Sequence, residues 1–310
     1  MALLQIENLT KRFGEIRAVD DVSFVVNEGE IYGLLGPNGA GKTTTLSMAC
    51  GLIKPDGGTV RVGGTSFWTD PKKCRKSMGV VPQDIALYEE LSGKENLQFW
   101  GRLAGLDARA ARTRSLDLLE LLSLADRGDD AVKKYSGGMK RRINLGCALM
   151  HRPSLILLDE PTVGIDPQAR AAILDLVRAL VSDGVGILYT THYLEEAEHL
   201  CARIGIMDHG KILAEGTQSE LRERLGVRNL FVIEGKLESA RPEDWHGFLE
   251  RFRILQRSDA QWTVATEDRF DPAESLKILI SLPVTLDNVT LKRPSLNDIF
   301  LQFTGRALRD

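Results

Sequence analysis

Gly36-Pro37-Asn38-Gly39-Ala40-Gly41-Lys42-Thr43 is the most informative stretch of this chain. It matches G-x-x-x-x-G-K-[ST], the pattern of a loop that binds phosphate. Glycines let the backbone curl until successive N–H groups point at phosphate oxygens. Lys42 supplies a point charge for the outer phosphates, and Thr43 a hydroxyl for Mg2+. Glu30-Ile31-Tyr32-Gly33-Leu34-Leu35 reads as a short strand entering the loop. Thr44 to Leu52 reads as the helix leaving it, its positive N-terminal end toward the phosphates. A Gly-rich turn with a chance lysine is the plain alternative; the strand-to-helix setting weighs against it.

The chain has 310 residues, long enough for one large and one small domain. With 43% hydrophobic and 27% charged residues its composition is that of a globular protein. The net charge of −3 lacks the basic footprint of nucleic-acid binding, so no nucleic-acid partner is expected. Cys50, Cys74, Cys147 and Cys201 lie far apart, without a C-x-x-C, and read as reduced thiols of a cytosolic protein. No signal peptide is apparent, and no apolar run approaches the ~18 residues of a membrane span. If the protein works on a membrane, another chain crosses it.

Leu3 to Asn8, Ala18 to Val26 and Thr59 to Val62 read as strands, and Gly93 to Leu124 is helical in pattern. Leu155-Ile156-Leu157-Leu158 and Val185 to Tyr189 suit strands buried on both faces, with helix Ala169 to Ser182 between them. This alternation predicts an α/β layer with a mainly parallel core sheet. The pattern changes between Gly216 and Arg228. Beyond it come strand Leu230 to Ile233, helix Pro242 to Phe252, and strands Arg253 to Leu255 and Gln261 to Ala265. Helix Pro272 to Ile280, strand Val284 to Lys292 and helix Leu296 to Phe303 follow. Up to Lys292 that β-α-β-β-α-β order suits a small ferredoxin-like domain.

Two further sites stand out. The apolar run from Leu155 ends in Asp159-Glu160, where one carboxylate is placed to hold Mg2+ and the next to polarise water as general base. Ser136-Gly137-Gly138 opens a helical pattern and offers a hydroxyl and open N–H groups to an anion. By themselves these stretches are also compatible with a solvated turn and a plain loop.

In this order and spacing the motifs resemble the ATP-binding subunit of an ABC transporter, over roughly residues 2 to 220. Gly36 to Thr43 stand as the Walker A loop, and Gln83 as the Q-loop glutamine. Tyr135 to Met139 stand as the signature, Leu155 to Asp159 as Walker B, and Val163 to Asp166 as the D-loop. His192, after Thr190-Thr191, stands as the switch histidine, and Phe13 as the aromatic on adenine. The signature departs from the usual pattern at Tyr135 and Met139, and Phe13 replaces a commoner tyrosine. The segment Glu160 to Pro167 and the ending Pro294 to Leu301 look like the daunorubicin-resistance exporter branch.

The resemblance implies an α/β fold: an ABC-type ATPase domain with a mixed sheet core and a helical subdomain, residues 1–225, then a small α+β accessory domain, residues 226–310. It implies ATP and Mg2+ as ligands. Gly36, Pro37, Asn38, Gly39, Ala40, Gly41, Lys42, Thr43 and Thr44 would cradle phosphate. Ser136, Gly137 and Gly138 of a second subunit would close over it. Thr43, Gln83 and Asp159 would hold the metal, and Glu160, His192 and Gln83 would serve hydrolysis. It also implies a homodimer of ATPases on an integral membrane permease, peripheral at the cytoplasmic face of the cell membrane. A soluble ABC-type ATPase, as in iron–sulfur assembly, is the alternative. A GTPase would want Asn-Lys-x-Asp, and no Asn here is followed by Lys.

Overall fold

A computed structural model describes residues 1–224, 226–237, 248–267, 271–282 and 284–304. In chain order the elements begin with β1 (Ala2–Phe13), β2 (Ile16–Asn27), β3 (Ile31–Leu35), α1 (Lys42–Ala49), β4 (Gly57–Val62), β5 (Thr65–Ser66), α2 (Pro71–Lys76) and β6 (Met78–Val81). They continue with α3 (Gly93–Leu103), α4 (Ala108–Leu121), α5 (Gly137–Leu149), β7 (Leu155–Asp159), α6 (Pro167–Ser182), β8 (Gly186–Thr191), α7 (Leu194–Leu200), β9 (Arg203–Asp208) and β10 (Lys211–Gly216). The last group is α8 (Gln218–Arg224), β11 (Val227–Lys236), α9 (Phe248–Arg251), β12 (Phe252–Arg257), β13 (Gln261–Glu267), α10 (Pro272–Ile280), β14 (Thr285–Lys292) and α11 (Leu296–Thr304). The chain divides into two compact units, Met1–Glu215 and Gly216–Arg309.

The first unit carries a six-stranded sheet in the order β10-β9-β3-β8-β7-β6. Its pairs β3–β8, β3–β9, β6–β7 and β7–β8 are parallel. Parallel strands covered on both faces read as continuous apolar runs. Accordingly every residue of β3, β7 and β8 is buried. A second sheet, β2-β1-β4-β5, is antiparallel and packs its inward Leu4, Ile6, Phe24 and Val60 into the same core as Leu34, Leu157 and Leu188. Because β3, β7 and β8 run the same way, their C-terminal ends meet at one rim. In open parallel sheets this is where ligands bind.

The helical stretch expected from Gly93 to Leu124 is two helices. Apolar periodicity runs on across the junction, but polar caps divide it. Ser92 and Glu95 form a reciprocal capping box at α3, and Asp107 caps α4 by accepting from the Ala110 N–H at 2.7 Å. Strand β6 is absent from the sequence reading; four residues including a glycine gave too short a signal. The four cysteines are free thiols.

The second unit holds an antiparallel sheet in the order β12-β13-β11-β14. By position among its own strands this is 2-3-1-4, the order of a ferredoxin-like β-α-β-β-α-β unit. Phe231, Ile233, Trp262 and Val264 alternate along β11 and β13 to face Phe248, Phe252 and Leu279 in one core. Most of the helix expected from Pro242 to Phe252 lies outside the described residues. Strand β12 is longer than expected, starting at Phe252.

Candidate nucleotide site

Gly36 to Thr43 wrap the rim of β3. The loop is braced from below: a Cβ at Gly36 would collide with the Met207 carbonyl of β9. Gly41 lies at φ +107°, where an L side chain is strained, and a Cβ there would meet the Ala18 carbonyl. The Gly210 N–H donates to the Ala40 carbonyl at 2.9 Å, tying the turn between β9 and β10 to the loop. No side chain caps α1, so its first-turn N–H groups are donors for an anion.

Above the loop opens a cleft of about 800 Å3, into which Asn38 to Thr44, Gln83, Glu160 and His192 project. Lys42 is 4% exposed, Asp159 3% and Glu160 5%. Lys42 Nζ donates to the carbonyls of Gly36 at 2.7 Å and Pro37 at 3.1 Å, and pairs with Glu160 Oε1 at 3.1 Å. Glu160 Oε2 lies 3.0 Å from His192 Nδ1. Glu160 sits at φ 43°, in the left-handed region, which turns it out of the strand direction of β7. Its N–H donates to Thr190 Oγ1 at 3.0 Å, which holds that turn against β8. Unpaired, such buried charges would be costly; here each has an opposite or polar partner.

Asp159 accepts from Thr190 Oγ1 at 2.6 Å and from Thr43 Oγ1 at 3.2 Å. Burial pushes its carboxyl above the ordinary aspartate value, against the lowering by those two hydroxyls. A buried aspartate beside a threonine hydroxyl is a fitting hard-oxygen pair for Mg2+. Among the described residues no group of three or more His, Cys, Asp or Glu is arranged to hold a metal alone. A magnesium ion here would therefore depend on phosphate oxygens for the rest of its shell, as Mg2+ commonly does.

Gly36, Pro37 and Asp159 do not line the cleft itself, and two further sequence-predicted contacts lie outside it. Phe13 ends β1 with its ring 49% exposed, under Lys11 Nζ at 5.6 Å, and does not line the cavity. Ser136 caps α5, accepting from the Met139 N–H at 3.3 Å; Ser136 and Gly137 are exposed, and none of Ser136 to Gly138 lines this cleft. Gly138 is buried and packs so closely on Ala169 that a Cβ there would strike its side chain. Sequence reasoning missed His209 and Gly210, which line the cleft from the β9–β10 turn; only the His-Gly pair between two apolar runs marked it. It also missed Arg141. This buried side chain of α5 donates to the carbonyls of Pro82 at 2.9 Å and Gln83 at 2.7 Å, fastening the Gln83 loop to the helical part.

With this geometry in place, comparison with known proteins becomes informative. The sequence profile of the ABC transporter family matches residues 19–163. The linearmycin resistance ATP-binding protein of Bacillus subtilis is 41% identical over 99% of this chain and 100% of its own length. This chain belongs to the ABC transporter family, as an ATP-binding subunit. The daunorubicin/doxorubicin resistance ATP-binding protein of Streptomyces peucetius is 38% identical over 99% of this chain and 94% of its own. The Nod factor export ATP-binding protein I of Ralstonia nicotianae is also 38% identical, over 99% and 95%. A solved ATP-binding subunit of an ABC transporter superposes with a TM-score of 0.66 at 33% identity, covering 72% of this chain and 93% of that one. The resistance-type resemblance seen in the sequence holds, and so does the ABC ATPase fold. The whole-length relatives extend through the second unit.

Proposed function

We propose that this chain is the ATP-hydrolysing motor subunit of a membrane exporter, working as a pair of ATPase subunits on a separate permease. The observation that carries the reading is the convergence of Lys42, Thr43, Asp159, Glu160 and His192 at one rim of the sheet. ATP phosphates lie over the Gly36–Thr43 N–H groups. The γ-phosphate takes the place at Lys42 that Glu160 now fills. Glu160 is thereby released from its 3.1 Å ion pair and becomes the base that takes a proton from the attacking water. His192 holds Glu160 and faces the γ-phosphate. Thr43, Asp159 and Gln83 would hold magnesium, which would supply charge neutralisation on the phosphates. Phe13, which pairs with Ile16 at the edge of the cleft, would stack on an adenine reaching beyond it.

Ser136 to Gly138 lie outside this chain's own cleft, which supports their serving the cleft of a second copy. A mainly apolar groove of about 410 Å3 opens near Gln83, between β6 and helices α3 and α5. Leu52 and Leu103 at its edge are 76% and 67% exposed. These features support a permease segment docking here, at the cytoplasmic face of the membrane. Among the described residues no helix is long and apolar enough to cross one. The names of the relatives favour export over a role in iron–sulfur assembly. Residues 226–310 are proposed as a separately folding accessory domain.

Glu160→Gln tests the mechanism. Loss of a general base costs ~10²–10⁴-fold in rate. The variant is expected to hydrolyse that much more slowly, to keep its ATP affinity, and to run as a dimer on size exclusion with ATP. Hydrolysis at the wild-type rate would move the catalytic role off Glu160.

A further inference from the structure

Glu196 lies in the first turn of α7 and is 3% exposed. Three hydroxyls donate to its carboxyl oxygens: Thr162 at 2.5 Å, Tyr189 at 2.8 Å and Thr191 at 2.9 Å. A buried carboxyl so fully supplied with donors is a built feature, since leaving it bare would be costly. Its donors occupy informative positions. Thr162 comes two residues after Glu160, and Thr191 comes immediately before His192. Thr191 Oγ1 also accepts from the Tyr193 N–H at 2.9 Å, so the backbone is held on both sides of His192. Arg170 of α6 stacks on the Tyr193 ring at 4.3 Å, and its Nε lies 3.6 Å from the Glu196 carboxyl.

The β7–β8 ladder ends at the pair Asp159–Thr190. One residue further, Glu160 leaves the sheet while Thr191 stays in it, paired with Leu35 of β3, so the β7–β8 pairing no longer fixes the spacing of the segments that carry Glu160 and His192. We propose that Glu196 is a positioning residue for hydrolysis. It clamps the segment leaving Glu160, through Thr162, to the turn carrying His192, through Thr191. The clamp thus preserves the 3.0 Å contact between Glu160 and His192. This rests on the reading of Glu160 as general base. Glu196 does not line the nucleotide cleft, so it acts only through these neighbours.

Thr162→Val and Thr191→Val each remove one donor and keep the branched shape; Thr162→Ser keeps the hydroxyl. In the full chain, kcat is expected to fall about tenfold or more in each valine variant, since a displacement of about 1 Å can cost ~10²-fold. The KM for ATP should stay within about twofold, because ground-state binding is untouched. Thr162→Ser should restore the rate. The ring-proton NMR shift of His192, identified by its loss in His192→Gln, should move in the valine variants and return in Thr162→Ser. Folded valine variants with unchanged kcat and an unchanged His192 shift would overturn the clamp. So would a loss of rate that follows only the fall in melting temperature, with the His192 shift unmoved. If Glu160→Gln hydrolyses at the wild-type rate, the base reading fails by itself. The clamp is then decided by the His192 shift.

Discussion

In the first unit, Lys42, Asp159 and Glu160 are all nearly inaccessible and meet at the ends of three parallel strands. In the second, Phe231, Ile233, Trp262 and Val264 fill the equivalent sheet interior. There the one buried charge among the described residues, Asp298, accepts from Ser295 at the start of α11 and pairs with Lys292 at 3.2 Å. One unit places costly charge where a ligand can use it; the other spends its buried carboxylate on ending a helix. Buried ion pairs are weak evidence for stability, because desolvation offsets much of the attraction. Their concentration at a strand rim therefore points to function, whereas the alternating apolar sheet of the second unit accounts for the fold of that unit.

Paired substitutions sharpen the contrast. Lys42→Ala removes a charge-assisted contact to phosphate, worth ~1.5–3 kcal/mol, and should weaken ATP binding roughly 10- to 100-fold by calorimetry. Lys292→Ala, which breaks the ion pair of the second unit, should leave ATP affinity unchanged. Equal effects of the two would erase the distinction.

Asp159 gives a smaller, pH-dependent effect. Its folded pKa is raised by burial above the ordinary 3.8, so the folded state binds the proton more tightly than the unfolded state. Stability is then lost as pH rises from about the unfolded value through the raised folded one, and the ionised group is a burden at neutral pH. Asp159→Asn should therefore melt higher than wild type without nucleotide at pH 7 by calorimetry. The gap should shrink toward pH 4 and reverse in sign when Mg-ATP stabilises only the wild type. A variant that melts lower at pH 7 would show that Asp159 is there for stability.

Much of this was legible in the sequence, for a physical reason. A phosphate loop needs its glycines for backbone approach and its lysine for charge, so chemistry fixes residue types at fixed spacing. Strands β7 and β8 were legible because burial on both faces leaves an unbroken apolar run. The alternation in β11 and β13 made the second unit readable in the same way. What escaped depends on partners distant in sequence. Glu196 reads as one of several acids on a short helix, and Thr162, which bonds it, lies 34 residues away. Arg141 reads as a surface charge beside Lys140 and Arg142, yet it is buried on the Gln83 loop, 58 residues distant. The break between α3 and α4 was hidden because apolar periodicity persists across it, although Gly105, at φ +101°, and the Asp107 cap mark it.

Removing most of the second unit, residues 227–310, tests most directly that the nucleotide chemistry belongs to the first. Every cleft residue precedes Gly216, so a chain ending at Gly226 should fold and bind ATP within about twofold of the full chain by calorimetry. A soluble, folded truncation that no longer binds ATP would contradict the account, because residues beyond Gly226 would then complete the site.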